Sequence, residues 1–170
     1  MTASRLNAFF APRSVAVVGA GERATSSGGA VMQMLKIAGY KGRVVPVNPK
    51  GGEIFGYKAA TSLSEIAEPC DLAVIVIRTD AIPDTLREAA RSGHRNILIL
   101  PGGFAEAGEA GLARDADVRA IAKEHDLLIA GPNCAGLIHL DPDWRFAATF
   151  LRDVPPGIAP GAGNGIALIS

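Results

Sequence analysis

Short aliphatic runs alternate along this chain with stretches whose apolar residues return every three or four positions. The runs at 15–18, 43–47, 71–77, 96–100 and 127–130 are bounded by glycine, proline or polar residues and carry no charge in their interiors. Such runs suit strands covered on both faces rather than strands with one wet side. Between them, Val31, Met34, Leu35 and Ala38 recur at helical spacing up to Gly39, and Ile82, Leu86, Ala89 and Ala90 do so up to Gly93. Pro83 falls in the first turn of the second of these helices, with Thr79 or Asp80 as its expected cap. A longer helix over 109–125 is expected to turn Leu112, Ala116, Ile121 and Ala122 inward. A short helix carrying Leu6, Phe9 and Phe10, capped by Ser4 and ended by Pro12, precedes the first strand. Lesser pieces are an extended segment at 56–59 and one helical turn at 62–66. Beyond Leu140 the pattern fades.

This alternation predicts an α/β fold, a doubly wound parallel sheet with right-handed crossovers. Ligands of such sheets bind outside the carboxyl ends of the strands, near the switch in strand order. The turns at that edge are 19–29, 48–52, 78–83, 101–104 and 131–136, each holding glycine, proline or small polar residues that let backbone approach a ligand. The first turn joins an apolar strand to a helix through Gly19 and Gly21, then Ser26, Ser27 and Gly28. It therefore presents unpaired N–H groups at a positive helix end, a natural anion site. Ala24 stands where a dinucleotide fingerprint would have its third glycine. The second turn reads Asn48-Pro49-Lys50, with no carboxylate before Glu53, where a dinucleotide fold usually holds a ribose hydroxyl with an acid. Lys50 suits a phosphate instead. The residues thus point to a nucleotide with a phosphorylated ribose, either NADP or coenzyme A with its 3′-phosphate, and leave both open.

Length and charge narrow the picture further. A chain of 170 residues suits one domain with a sizeable core. Seventeen basic residues balance seventeen acidic ones, with no basic stripe, which argues against nucleic acid as a partner. No apolar run has the length of a membrane span, and Arg13 interrupts the N-terminal apolar stretch, so a cytoplasmic setting is expected. Cys70 and Cys134 fit neither a zinc pattern nor a redox pair, and no metal site is expected. Cys134 reads as a small buried hydrophobe rather than a nucleophile. Glu106, Glu109, Asp115 and Asp117 read as the wet surroundings of a helix, and Trp144 as a loop anchor.

Several stretches resemble the NDP-forming acyl-CoA synthetases, relatives of the succinyl-CoA synthetase α subunit. They are FFAPRSVAVVGA, YKGRVVPVNPKGGEIFGYKA, DLAVIVI, PGGFAEAGE and IAGPNCAGLI, in the family's order along nearly the whole chain. VPVNPK and GPNCAG are the more specific. The resemblance implies a Rossmann-like CoA-binding domain over 1–150, a linker over 151–164, and over 165–170 the first strand of a truncated, flavodoxin-like second domain. By the same resemblance Gly21, Ser26, Ser27 and Gly28 would hold the pyrophosphate region, and Lys50 a nucleotide phosphate. Pro101, Gly102 and Gly103 would line the pantetheine arm, and Cys134 would sit near the thiol end. Gly19, Asn48, Ile77, Arg78 and Asn133, on the same turns, join them as expected binding residues.

The family's reaction joins a carboxylate to CoA at the expense of ATP or GTP, through an acyl phosphate and a phosphohistidine. His94, His125 and His139 match no such motif. The nucleotide, its Mg and the reacting histidine are therefore expected on further domains or a partner subunit, and no catalytic residue is expected here. Many relatives carry a proline in the first loop, where this chain reads GERATSSGG. Two alternatives share the fold: an NADP-binding oxidoreductase domain, and a stand-alone CoA-binding regulatory protein. Assembly as a homo-oligomer is left open.

Overall fold

Val15 to Val18 turn their side chains alternately to two faces, and all four are buried, so the strand that holds them needs cover on both sides. The computed structural model describes residues 3–139, 141 and 144–152. Of the linker expected over 151–164, all but its first two residues lies outside them, as does the strand expected over 165–170. In chain order the elements are α1 (Ala3–Phe10), β1 (Ser14–Val18), α2 (Ser27–Ala38), β2 (Arg43–Val47), β3 (Glu53–Ile54), β4 (Tyr57–Lys58), β5 (Leu72–Ile75), α3 (Ile82–Arg91), β6 (Asn96–Ile99), α4 (Glu109–Glu124), β7 (Leu128–Ala130), β8 (Gly136–His139) and β9 (Phe146–Thr149).

Five of the strands form one parallel sheet in the order β2-β1-β5-β6-β7. Val15 pairs with Val44 on one side and Leu72 on the other, and Val18 pairs with Val47 and Ile75. Beyond β2, Ala60 adds a parallel bridge to Val47, a rudimentary outer strand. The chain moves outward from β1 to β2, then returns to lay β5 on the opposite side of β1. The switch in strand order therefore falls between β1 and β5. This is the doubly wound α/β sheet expected from the alternation.

The two faces carry separate cores. On one, Ala16, Val18, Ile75 and Ile97 meet Ile82 and Leu86 of α3 and Val118 and Ile121 of α4. On the other, Val15, Val17, Val74 and Leu98 meet Val31 and Leu35 of α2, Phe9 of α1 and Phe146 of β9. Each fully buried aliphatic contributes roughly 1.5–3 kcal/mol, which is why near-continuous apolar runs, rather than alternating ones, specify these strands.

Several local expectations are corrected. α1 begins at Ala3 and so contains Ser4, which is not its cap. α2 begins at Ser27, four residues before the apolar spacing starts at Val31, because Ser26 caps it by accepting from the Gly29 amide. Thr79 and Asp80 do not cap α3. They form a 3-10 turn ahead of it, and Ala81, at the N-cap position, supplies no side-chain cap. On α4, Leu112 is 56% exposed and Ala116 is exposed, while Gly111, Val118 and Ile121 face in. The cause is a close approach: a Cβ on Gly111 would overlap the carbonyl oxygen of Phe104. That fixes the rotation of the helix against its apolar average. The antiparallel hairpin β8–β9 lies where no element is expected, and β9 packs wholly buried against α2. Trp144 lies in a turn and borders a cleft with Arg13, Tyr40 and Lys41.

Candidate ligand site at the carboxyl rim of the sheet

The turns that follow β1, β2, β5, β6 and β7 all emerge on one rim, and hydrogen bonds sew them together. The first of them begins at the switch point. Gly19 has φ of +89°, and a Cβ there would stand 2.5 Å from the carbonyl oxygen of Val76 and 2.8 Å from Cγ2 of Ile77. Only glycine meets both conditions. Ile77 thus packs against the turn rather than facing away from it. Gly21 has open space around it.

Further along the same turn, a Cβ on Gly28 would overlap the Gly19 carbonyl oxygen. Gly28 therefore does the work of the absent third fingerprint glycine, letting helix and strand approach closely from four positions later than Ala24. Ser26 is committed to the helix start: its hydroxyl donates to the Arg23 carbonyl oxygen at 2.7 Å and accepts from Gly29 N at 3.2 Å. Ser27 and Gly28, the first residues of α2, have amides with no carbonyl one turn earlier to bond. Amides so placed at a helix start are able to donate to an anion.

The second turn is tied to the first by Asn48. Its Nδ2 donates to the Ala20 carbonyl oxygen at 2.7 Å, and its Oδ1 accepts from Lys50 N at 2.9 Å. Each side-chain polar atom is engaged once inside the fold, so Asn48 holds the rim in shape. A second tie runs from the Phe55 amide, in the tight β3–β4 turn, to Oε1 of Glu22. The Lys50 ammonium is exposed and makes no hydrogen bond or ion pair among the described residues. Arg78 is different: it forms a two-pronged pair with Asp80, at 3.2 and 2.8 Å.

The third part of the rim is the turn of Pro101, Gly102 and Gly103. Thr79 Oγ1 donates to the Gly102 carbonyl oxygen at 2.9 Å, and Asn133 N donates to that of Pro101 at 2.9 Å. Arg114 donates to the Gly103 carbonyl oxygen. Oε1 of Glu106 accepts from the amides of Gly103 and Phe104. Those bonds, with that from Gly103 foremost, hold the Glu106 carboxyl below the usual glutamate range. Glu106 is therefore no mere part of a wet face, whereas Asp115 and Asp117 do form surface pairs with Arg119 and Arg87. An exposed glutamate three residues past a Gly-Gly pair carries no sequence signal of this role.

Cys134 follows a cis Gly131–Pro132 bond and Asn133, whose φ is +58°. Its thiol lies 3.3 Å from the Ile99 carbonyl oxygen, and burial pushes it above the ordinary cysteine value. A thiol so placed is protonated at neutral pH and is a poor nucleophile. The structure thus gathers Gly19, Gly21, Ser26, Ser27, Gly28, Asn48, Lys50, Ile77, Arg78, Pro101, Gly102, Gly103, Asn133 and Cys134 on turns of a single rim.

The family model of the CoA binding domain matches residues 13–140, which span β1 through the end of β8. The chain belongs to the CoA-binding domain family. This CoA-binding domain is 36% identical over 96% of its length to the α subunit of acetate–CoA ligase (ADP-forming) I of Pyrococcus furiosus, of which it spans 37%. It is 34% identical over 85% of its length to the ADP-forming 4-hydroxybutyrate–CoA ligase of Nitrosopumilus maritimus, of which it spans 20%. Among solved structures, acetyl-coenzyme A synthetase 1 of Ca. Korarchaeum cryptofilum, crystallised with phosphate and ADP, superposes with a TM-score of 0.80. The identity is 28%, over 88% of this domain and 32% of that chain. The CoA-binding domain is thus a fraction of the length of each of these proteins. No helix among the described residues is long and apolar enough to cross a membrane.

Proposed function

We propose that this chain binds coenzyme A along the carboxyl rim of its sheet, as the CoA-holding module of an NDP-forming acyl-CoA synthetase. One observation carries the reading: free helix amides at Ser27 and Gly28 and the free ammonium of Lys50 stand on adjoining turns that Asn48 ties together. Amides suit the diphosphate, and a mobile lysine suits the 3′-phosphate as a point charge. The turn at 101–103 then borders the pantetheine arm, and the Cys134 turn its thiol end.

In the complete synthetase, coenzyme A supplies the thiol that accepts the acyl group. ATP or GTP with Mg, and the phosphohistidine, belong to domains or a subunit outside this chain, in keeping with its short share of the relatives' length. What this chain's residues do is bind and orient the carrier. The two free cysteines accord with a cytoplasmic setting.

Titration calorimetry of the 170-residue chain with CoA, beside NADPH, tests the reading. Heat and a raised melting temperature with CoA alone are expected. Binding of NADPH in preference would assign the rim to a redox cofactor, and no response to millimolar CoA would end the proposal.

A further inference from the structure

At the amino end of the sheet, a cleft of about 330 Å³ opens between the start of β1, the turn from α2 to β2 and the turn before β9. Strands rise about 3.3 Å per residue, so the stretch from Arg13 to Gly19 puts this cleft roughly 20 Å from the carboxyl rim. In a chain whose basic and acidic residues balance, its lining holds Arg13, Lys41 and Arg43 and no acid. The walls are fixed. The Tyr40 hydroxyl donates to the Pro12 carbonyl oxygen at 2.7 Å, and its ring meets Phe146 edge-on. A Cβ on Gly42 would overlap that hydroxyl, so glycine lets the Tyr40 side chain fold back across the chain. Arg43 is held by the Glu68 carbonyl oxygen at 2.7 Å. What the cleft leaves free are donors. The Arg13 guanidinium, the Lys41 ammonium and the Trp144 indole N–H make no hydrogen bond or ion pair among the described residues. Asp71, the acid turned toward Arg13, accepts from its backbone amide and not from its guanidinium. Nor is Lys41 needed to finish α2, because the Leu35 and Lys36 carbonyls already accept from the Tyr40 and Gly39 amides.

We propose that this cleft is a second ligand site, for a phosphate monoester that carries a flat ring. Side chains that only donate select a ligand group that only accepts. Two free cations match a dianion: a phosphate answers both, whereas a carboxylate leaves one unanswered. Arg13 supplies a planar fork and Lys41 a point charge. The half-buried indole of Trp144 offers a face on which a ring stacks. The volume lies at the lower end of the range for small-molecule sites. The cleft shares no residue with the carboxyl rim, so the proposal stands whether or not coenzyme A binds there.

Trp144 is the one tryptophan of the chain, and its fluorescence therefore reads this cleft directly. AMP, adenosine and inorganic phosphate are titrated into the 170-residue chain. AMP is expected to quench Trp144 and to bind at least tenfold more tightly than either half alone. Arg13→Gln and Lys41→Gln, both at exposed positions, each weaken AMP about tenfold, the worth of one charge-assisted hydrogen bond. By calorimetry, Trp144→Phe, which keeps a ring, weakens AMP less than Trp144→Ala does. Three results overturn the proposal: no quenching by millimolar AMP, equal affinity for AMP and one of its halves, or undiminished AMP binding in Arg13→Gln and Lys41→Gln. A quench that disappears in Lys50→Ala but persists in Arg13→Gln places AMP on the carboxyl rim and overturns it too.

Discussion

Gly28 and Gly19 touch through space that only two glycines leave: a methyl group on Gly28 would overlap the Gly19 carbonyl oxygen. Gly28 lies in the first turn of α2 and Gly19 directly follows β1, so their contact sets the distance between the first amides of the helix and the sheet. Gly28→Ala is expected to cost about 1–3 kcal/mol through overpacking, because the obstacle is backbone and cannot swing aside. Melting temperature and CoA affinity should fall together. A variant as stable as wild type, with undiminished binding, would show that the helix is not pinned here.

Lys50 is expected to answer the phosphate on the ribose. Lys50→Ala should weaken CoA about tenfold more than dephospho-CoA, and the difference should shrink as salt rises, since an exposed ammonium is screened. Calorimetry at two ionic strengths measures it. Equal losses for the two ligands would remove Lys50 from that role.

His94 is fully buried, and its Nε2 has no partner among the described residues. Burial foremost, then the Arg43 charge, lowers its proton affinity below the ordinary histidine value of 6.5. The unfolded chain therefore binds a proton below about pH 6.5 while the folded chain stays neutral. Stability should decline as pH falls from 6.5 toward the depressed folded value, and level off for this group beneath it. Urea midpoints at pH 7.5 and 5.5 check this, and the decline should be smaller in His94→Gln. A steeper acid loss in that variant would contradict the assignment.

Cys134 should behave as a packing residue. Iodoacetamide at pH 7 is expected to label it more slowly than glutathione, because burial keeps its thiol protonated. Cys70, buried and also raised by its burial, should be slower still. Peptide mapping over time gives both rates. Rapid labelling of Cys134 would mark it as an activated thiol.

How much of this was legible beforehand varies with the range of the interaction. Residues 72–75 fall within a run read as strand and are strand in the structure, because burial on both faces writes itself into consecutive aliphatics. Gly39 and Gly93 mark helix ends because a left-handed residue is needed there. The face of α4 was not legible. Leu112 is more apolar than Gly111, yet the helix turns Gly111 inward because only a bare Cα fits against the Phe104 carbonyl. The β8–β9 hairpin was hidden for a related reason: Phe146 is a core residue only because Tyr40, more than a hundred positions earlier, lies 5.4 Å from its ring.

Local composition, then, was enough for the α/β architecture, the glycine turns at strand ends and the basic character of the second turn. These depend on backbone sterics and on burial summed over neighbouring residues. Which polar groups those turns leave free came from the assembled chain. Asn48 is withdrawn by Ala20 and Lys50, and the amides of Gly103 and Phe104 by Glu106. Hydrogen bonds are short and directional, so whether a donor is spent or available is settled only when distant segments come within three ångströms of each other.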